Sequence, residues 1–329
     1  MQVDKIRNPI IFQGNIKKRN YFEGWYYKIS AMENGRVASF IPGISLNDGD
    51  AHCFVQYIFV TENENGTKKT ESGYIRFTLD AFKFQDSPFL LQIGENSFAQ
   101  SKIHISMTDK NLKNGTEINI KADFELGELT KIRMKLAMPN IMGFFAYFPM
   151  MECYHGIVSM SHSAHGTLKI NESEIEIKNG RGYIEKDWGT SFPKKYIWIQ
   201  CNNFNDAGTS IFCSVADIPF LGMSFLGFIC NFIHEGKEYR FATYNNSNLK
   251  IESVSSEKIV LVFENVEAKL KIEAYIGYVA ELIAPKSGKM QDIIKEEVSG
   301  ETKIFFLDKK SGDIYDDFGY MAGIENKGF

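Results

Sequence analysis

The strongest constraint on the fold is a recurring pattern of strand-forming segments that are separated by tight-turn dipeptides. Segments such as AHCFVQYIFV, GYIRFTLDAFKF and KIVLVFENV are rich in β-branched and aromatic residues, which favour strands. Asn-Gly, the dipeptide most typical of two-residue hairpin turns, occurs at 34–35, 65–66, 114–115 and 179–180. Many strands at regular turn spacing are typical of sandwiches and barrels. The sequence therefore predicts an all-β protein.

Helical periodicity is scarce. The one helix that we predict is GKMQDIIKEEVSG, at 288–300. There Ile293, Ile294 and Val298 have helical spacing, and Gly300 can end the helix.

A short internal sequence similarity indicates how the chain of 329 residues is divided into domains. FEGWYYKI and IEKDWGTSF each place an acidic residue shortly before a tryptophan, and Trp25 and Trp188 lie about half the chain apart. Two similar barrels that each begin on such a strand would produce this spacing. We therefore predict two domains, residues 1–165 and residues 166–329.

The composition indicates which classes of partner and which cellular compartment to expect. A net charge of −4 at pH 7 gives no reason to expect nucleic acid as a partner. The five cysteines form no CxxC pair, which is typical of reduced thiols in a cytoplasmic protein. The first residues, MQVDKIRNPIIFQGN, contain no uninterrupted apolar segment, so neither a signal peptide nor a transit peptide is predicted.

Two apolar stretches raise the question of a membrane. IMGFFAYFPMM (141–151) and IPFLGMSFLGFICNFI (218–233) are both shorter than the roughly 20 residues of a spanning helix, and both contain Gly and Pro. We predict that they are buried strands joined by a turn. Peripheral contact with a membrane surface is the alternative.

The stretch RGYIEKDWGTSFPKKYIWIQ (181–200) places charged residues among tryptophans. If it begins as a strand, Glu185 and Asp187 share one face with Tyr183, while Lys186 and Trp188 share the other. Two carboxylates crowded into an apolar pocket can keep a proton near neutral pH, as a catalytic acid requires. The alternative is structural: the acids pair with a cation nearby in sequence, which is one of Arg181, Lys186, Lys194 and Lys195.

Glu23 is a third acid in an aromatic setting, with Trp25 and Tyr27 close in sequence. Gly24 beside it would let a ring or another backbone approach closely. A structural alternative exists here too, namely a carboxylate at a strand end that is bonded to a barrel-closing loop.

The strand after Pro193 predicts a second polar surface. One of its faces is apolar and suits a core: Ile197, Ile199 and Cys201. The other face mixes rings with amides and suits a ligand cavity: Trp198, Gln200, Asn202 and Phe204. A half-exposed face is the alternative interpretation of the second set.

Three histidines, His155, His162 and His165, lie close together in YHGIVSMSHSAHG. Their spacing matches no metal-binding signature, so we predict no metal and regard His155 as a cavity residue. The chain also contains no phosphate loop, dinucleotide fingerprint or nucleophile elbow. Phosphoryl transfer, hydride transfer and serine hydrolysis therefore lack support.

The chain resembles the tocopherol cyclase family in motifs that follow one another in the expected order. They are FEGWYYK, YHGIVSM, GYIEKDWGTSFPKKYIWIQCNNF, FATY, APKSGKM and GYMAGIEN. The block Glu-Lys-Asp-Trp-Gly…Phe-Pro…Trp-x-Gln is the most specific of them. The family is related to lipocalin-like proteins that include carotenoid hydratases and natural-product pericyclases. The resemblance implies two lipocalin-like (calycin) antiparallel β-barrels with few short helices.

The resemblance also implies a reaction. Tocopherol cyclases close a chromanol ring by adding a phenol oxygen across an alkene of a prenylated hydroquinone. An acid must protonate the alkene, and aromatic rings can shield and stabilise the tertiary cation that forms. A polar group must orient the phenol. At the position of Asp187 the plant members carry Asn, so the resemblance itself assigns no acid role there.

Our first hypothesis is an isomerase that cyclises a prenylated phenol or another polyene lipid without a cofactor. The expected proton donor is Asp187 or Glu185, with Glu23 as the third candidate. The expected substrate-binding residues are Trp25, Tyr27, His155, Lys186, Trp188, Trp198, Gln200 and Asn202. One alternative is a non-catalytic carrier or sensor of a hydrophobic ligand, whose acids would be salt-bridged. Another is an alkene hydratase, which would admit water as the nucleophile.

Overall fold

The protein is built almost entirely from β-strands. The computed structural model describes residues 3–32, 35–62, 68–110, 117–149, 151–220 and 222–329. These residues form 22 strands, one α-helix (Val3–Arg7) and short 3-10 helices at Leu79–Ala81, Gly143–Tyr147 and Thr243–Asn245. The all-β prediction is confirmed.

The chain divides into two compact units. The first contains residues 1–131, 153–192 and 282–293, and the second contains residues 132–152, 193–281 and 294–329. The boundary predicted between residues 165 and 166 falls inside a strand of the first unit, Cys153–Ile170. That strand has pairing partners on both sides, so the first unit continues beyond it to Phe192.

The first large sheet is antiparallel and has 11 strands. They are β1 (Tyr21–Ala31), β2 (Arg36–Leu46), β3 (His52–Glu62), β4 (Lys68–Phe77), β5 (Phe82–Asp86), β6 (Phe89–Ile93), β7 (Asn96–Ala99), β8 (Lys102–Lys110), β9 (Glu117–Leu126), β10 (Cys153–Ile170) and β11 (Ser173–Gly189). Their order is β4-β3-β2-β1-β11-β10-β9-β8-β7-β6-β5. Within the described ranges β4 and β5 do not pair, so this sheet is open where a closed barrel was predicted.

The second large sheet also has 11 strands. They are β12 (Tyr196–Cys201), β13 (Asn203–Phe204), β14 (Ser210–Phe220), β15 (Met223–His234), β16 (Lys237–Ala242), β17 (Asn248–Val254), β18 (Lys258–Glu264), β19 (Ala268–Tyr275), β20 (Val279–Lys286), β21 (Lys289–Asp308) and β22 (Ile314–Lys327). The order is β16-β15-β14-β12-β22-β21-β19-β18-β17, with β13 paired to β22 and β20 paired to β21. Its end strands, β16 and β17, likewise do not pair in the part of the chain that the structure describes.

The helix predicted at 288–300 is wrong, because almost all of these residues lie in β21. Gly288 has a φ of 75° and lies in the tight turn between β20 and β21. Beyond the turn Ile294 and Val298 are buried, whereas Ile293 is exposed. The apolar residues that suggested a helical period therefore come from both faces of one strand.

Each unit has its own hydrophobic core. The core of the first unit is rich in large rings, including Trp25, Tyr27, Phe40, Tyr57, Phe59 and Phe98. The core of the second unit is mostly aliphatic, with Ile197, Ile199, Val215, Leu261 and Ile304 among its members. The five cysteines are free thiols, as predicted, and four of them are buried.

The two apolar stretches differ in structure. Residues 218–220 and 222–233 lie in the hairpin of β14 and β15, which confirms the predicted strands, but Met223 and Leu226 are exposed where burial was predicted. Residues 141–151 were predicted as strand, but they contain the 3-10 helix Gly143–Tyr147. The Asn140 side chain accepts a hydrogen bond from the Met142 N–H (2.9 Å) and so starts a turn there. Over the described residues, the helices all fall short of the length and apolarity that crossing a bilayer requires.

Candidate active site

Strand β11 presents two faces of different chemistry near the centre of the first sheet. It pairs with β1, and the register sets Glu185 opposite Tyr26 and Lys186 opposite Trp25. Directly opposed residues of antiparallel strands share a face, so the predicted alternation of Glu185 and Asp187 against Lys186 is confirmed. We call the side that holds Trp25 the aromatic face and the side that holds Glu185 the acid face.

A buried ion pair lies on the aromatic face, between Glu23 and Lys186, and both side chains are 0% exposed. The Glu23 carboxylate also accepts hydrogen bonds from the backbone N–H groups of Gln13 (2.8 Å) and Gly14 (3.0 Å) and from the Tyr21 hydroxyl (2.5 Å). These donors satisfy a carboxylate that water does not reach. Glu23 thus matches the structural alternative, in which it holds the segment before β1 against the sheet.

Lys186 completes the pair among aromatic rings. Its ammonium lies 4.2 Å from the ring centroid of Trp25 and 5.4 Å from that of Trp188, within the range of cation–π attraction. It also donates a hydrogen bond to the Ile11 carbonyl. Burial lowers the pKa of Lys186 to about 8, although the charge of Glu23 opposes the shift. Trp188 and Lys186 share a face, as strand alternation predicted, and Trp25 lies on the same face, opposite to that of the acid pair.

His155 lies between two carboxylates on the acid face. Its Nδ1 is 2.7 Å from Oδ1 of Asp187, and its Nε2 is 3.4 Å from Oε2 of Glu185. The pairing of β10 with β11 sets His155 directly opposite Asp187, which explains the shorter contact. The cation that pairs with the two acids is therefore His155. Lys186, which the sequence offered as a possible partner, pairs with Glu23 instead. We call His155, Glu185 and Asp187 the acid cluster.

The acid cluster is more open than the ion pair. The Asp187 side chain is 22% exposed, whereas both members of the ion pair are fully enclosed. Oδ1 of Asp187 accepts from His155, and no hydrogen bond to its Oδ2 is present among the described residues. That oxygen is therefore available to hold a proton or to meet a ligand.

The two acids set the charge of His155. Burial alone would lower its pKa, but the negative charges of Asp187 and Glu185 outweigh burial and raise the pKa of His155 to about 10. The ring is therefore an imidazolium at neutral pH, with a donor on each nitrogen. The cluster thus holds two carboxyl groups for one cation.

Two tyrosines on the acid face were absent from the predicted site residues. Tyr183 donates a hydrogen bond of 2.5 Å to Oε2 of Glu185. Burial, reinforced by the charge of Glu185, raises the pKa of Tyr183 well above its ordinary value. Tyr26 lies opposite Glu185, with its ring centroid 6.4 Å from that of Tyr183. The sequence could have identified Tyr183 as a site residue, because it precedes Glu185 by two residues and alternate residues of a strand share a face.

The three histidines of β10 do not converge on one site. The His162 ring bonds the Ser159 hydroxyl (2.9 Å), and burial lowers the pKa of His162 to about 4. His165 lies on the surface, 3.2 Å from Glu125. Among the described residues, the acid cluster could hold a metal ion, because its ligand atoms all lie within 4.8 Å of one another. A cation would have to displace the proton on His155, because only a neutral imidazole is a ligand.

The remaining predicted residues lie elsewhere. Tyr27 is on the aromatic face and packs against Phe98, with ring centroids 5.5 Å apart. Three predicted residues belong to the second unit: Trp198, Gln200 and Asn202. Phe204 was expected on the same face as these three, but it lies in the core of that unit. The reason is a break in the strand, because β12 ends at Cys201 and β13 begins at Asn203.

Comparison with known sequences identifies a family signature. The sequence profile described as tocopherol cyclase-like matches residues 117–328, a range that includes the whole acid cluster. The chloroplastic tocopherol cyclase of Zea mays is 35% identical over 74 residues, which cover 22% of this chain and 16% of that protein. The chain thus matches less than a quarter of the length of its curated relatives.

Comparison with solved structures identifies the fold. Kievitone hydratase from Nectria haematococca superposes with a TM-score of 0.54 at 11% identity, over 97% of this chain and 93% of that one. CghA superposes with a TM-score of 0.55 at 7% identity, over 93% of this chain and 88% of that one. At such low identity the likeness concerns the fold alone.

Proposed function

The chain belongs to the tocopherol cyclase-like family, and from that premise we propose that it closes a ring in a prenylated phenol or a related polyene lipid by protonating an alkene. The observation that supports this proposal most is the acid cluster, in which two carboxyl groups share one imidazolium on a face that solvent reaches. The role of Asp187 rests on this chain's own residues. The whole reaction uses groups of the protein and the substrate only.

Asp187 is the proposed proton donor. Its Oδ1 accepts a hydrogen bond from His155 at 2.7 Å, which leaves Oδ2 to hold a proton and direct it towards a substrate carbon. When that proton leaves, the imidazolium stabilises the new carboxylate through its charge and through the hydrogen bond. Such a fixed cation is present before the reaction starts, so no group has to reorganise during proton transfer.

Glu185 is the proposed positioning residue. It approaches Nε2 of His155 at 3.4 Å and accepts the hydrogen bond of Tyr183 at 2.5 Å. The imidazole ring thus has a hydrogen bond at Nδ1 and a carboxylate oxygen 3.4 Å from Nε2. The charge of Glu185 also helps to keep His155 protonated.

Bonds and protons balance over two steps. The proton on Oδ2 of Asp187 forms a C–H bond with the less substituted alkene carbon, and a tertiary cation remains on its neighbour. The phenol oxygen then bonds to that cation, and the phenol proton returns to the carboxylate. The product is an isomer of the substrate. Tyr26 and Tyr183, on the same face, would shield the cation with their rings.

Incubation in D2O with a panel of prenylated hydroquinones tests the proposal. Mass spectrometry should find a cyclic isomer that contains one non-exchangeable deuterium on carbon, because the donor exchanges its proton with the solvent. A product heavier by one water would contradict cyclisation and indicate alkene hydration. Tight binding of the panel with no deuterium on carbon would indicate a carrier instead.

A further inference from the structure

The second unit exposes large apolar side chains at two neighbouring turns. Leu136 and Met223 are each 77% exposed. Large side chains around them are also exposed, and together they form what we call the apolar turn surface: Met134, Leu136, Phe144, Tyr147, Phe148, Met223 and Leu226. Contiguous apolar surfaces of this kind mark interaction sites on folded proteins.

The first turn is a rigid hairpin. Lys135 and Met138 exchange two backbone hydrogen bonds, of 2.9 and 3.0 Å, so Leu136 lies at the apex of a tight turn. The Tyr147 hydroxyl donates a hydrogen bond of 2.8 Å to the Leu136 carbonyl. The backbone at the apex is therefore held in place while the Leu136 side chain remains in solvent.

Buried polar groups anchor this segment to its own unit. Arg240, paired with Glu238 at 2.6 Å, donates a hydrogen bond of 2.7 Å to the Arg133 carbonyl. Tyr244 donates one of 2.7 Å to the Ile141 carbonyl. The segment could turn its apolar side chains inwards only by breaking these bonds, so their exposure is a property of the fold.

The two turns are continuous through stacked rings. Phe145, from the first segment, stacks on Phe225, from the β14–β15 hairpin, with centroids 6.0 Å apart. Phe144 stacks on Phe145 at 4.5 Å and meets Phe148 at 6.2 Å. The exposed residues of the two turns therefore belong to one surface.

This surface carries two exposed cations. Residues 132–149 and 218–233 contain two charged residues, Arg133 and Lys135, and no acid, and Asp217 lies directly opposite Leu226 in the hairpin. Both cations are exposed and flank Met134. Apolar and aromatic side chains with neighbouring lysine and arginine are the combination that binds an anionic bilayer surface. A symmetric pair of copies would instead bring these cations together.

We propose that the apolar turn surface docks the protein onto the surface of an anionic lipid bilayer. Leu136 and Met223, at the two turns, enter the boundary between headgroups and acyl chains, while Arg133 and Lys135 contact anionic headgroups. The proposal does not depend on the acid cluster, and it holds whether the protein cyclises, hydrates or only binds its ligand.

Vesicle flotation with the full chain tests this docking. Wild-type protein should float with vesicles of phosphatidylcholine and phosphatidylglycerol and should bind pure phosphatidylcholine less. Leu136→Ser/Met223→Ser should weaken binding to the mixed vesicles at least about ten-fold. Val266→Ser/Ile314→Ser is the matched control, because these side chains are 88% and 79% exposed elsewhere in the same unit, and it should bind as the wild type does.

A separate variant tests how much the two cations contribute to vesicle binding. Arg133→Gln/Lys135→Gln should lose the preference for the mixed vesicles, with a loss of roughly ten-fold in binding. All exposed-site variants should keep the wild-type circular dichroism spectrum and Tm. Equal flotation of the wild type and the Leu136→Ser/Met223→Ser variant would overturn the proposal. So would concentration-dependent self-association that this variant abolishes, in the absence of vesicle binding, because the partner would then be a second copy.

Discussion

The two faces of β11 hold similar groups but differ in charge balance and in enclosure. On the aromatic face, Glu23 and Lys186 form a one-to-one pair that is 0% exposed and bonded on all sides. On the acid face two carboxyl groups share the His155 ring, and Asp187 stays partly open to solvent. An acid among aromatic rings is therefore not enough for proton chemistry. To donate a proton, the acid also needs a carboxylate oxygen that accepts no hydrogen bond and a cation that it shares with a second carboxylate.

Breaking the ion pair should give the largest effect on stability. Glu23→Gln leaves the Lys186 ammonium buried without its counter-charge, which should reduce the free energy of unfolding by about 3–5 kcal/mol. Urea denaturation measures this loss. Glu23→Gln/Lys186→Met removes both charges and should recover a large part of it. A loss below about 1 kcal/mol in the single variant would mean that the pair is no more important than a surface ion pair.

Removing the shared imidazolium should mainly affect turnover. His155→Gln takes away the cation that stabilises the Asp187 carboxylate, so kcat on a substrate that the wild type cyclises should fall about 10²-fold. His165→Gln, on the same strand but paired with Glu125 at the surface, is the matched control and should leave kcat unchanged. Equal activity of the two variants would remove His155 from the reaction.

Strand periodicity predicted much of this arrangement. It indicated an all-β fold and correctly opposed Glu185 and Asp187 to Lys186, because side chains alternate in any strand. It could not show that β1 and β10 flank β11, since pairing between distant segments leaves no local pattern. The pairing of Glu23 with Lys186 and the contact of His155 with Asp187 depend on that register.

Two other errors have different causes. The apparent helix at 288–300 is the turn at Gly288 followed by β21, whose two faces both carry apolar residues. The interruption between Cys201 and Asn203 moves Phe204 into the core of the second unit, because a break in a strand changes the face of the residues that follow it.

Above pH 8 the two faces should change stability in opposite directions. His155 has a folded pKa of about 10 against 6.5 when free, so its stabilising contribution is complete below about pH 6.5 and is lost as the pH rises through about 10. Lys186 has a folded pKa of about 8 against 10.5. The unfolded chain therefore binds the extra proton between these values, and this group makes stability rise with pH.

Two variants should separate the contributions of His155 and Lys186 to the pH dependence of the free energy of unfolding. In urea titrations between about pH 8 and 10, His155→Gln should remove the falling component, and Glu23→Gln/Lys186→Met should remove the rising one. The free energy of unfolding should therefore increase with pH relative to the wild type in the first variant and decrease in the second. Parallel pH profiles for all three proteins would contradict the assigned charges.

The smallest effect is expected from the tyrosine that holds Glu185. Tyr183→Phe removes one hydrogen bond of 2.5 Å and keeps the ring, so kcat should fall by less than about ten-fold, the equivalent of about 1.4 kcal/mol. Tyr57→Phe removes a hydroxyl that bonds Asp109, and it is the matched control. If Tyr183→Phe were as inactive as His155→Gln, the hydroxyl itself would take part in the proton transfer.

The most direct test of the account compares the two faces in one assay, the rate of carbon–deuterium bond formation in D2O per folded molecule. Asp187→Asn, measured where it is folded, should lose at least about 10³-fold in this rate. Glu23→Gln, measured where it is folded, should keep its rate within about ten-fold. An active Asp187→Asn together with a folded but inactive Glu23→Gln would contradict the account and assign the acid to the aromatic face.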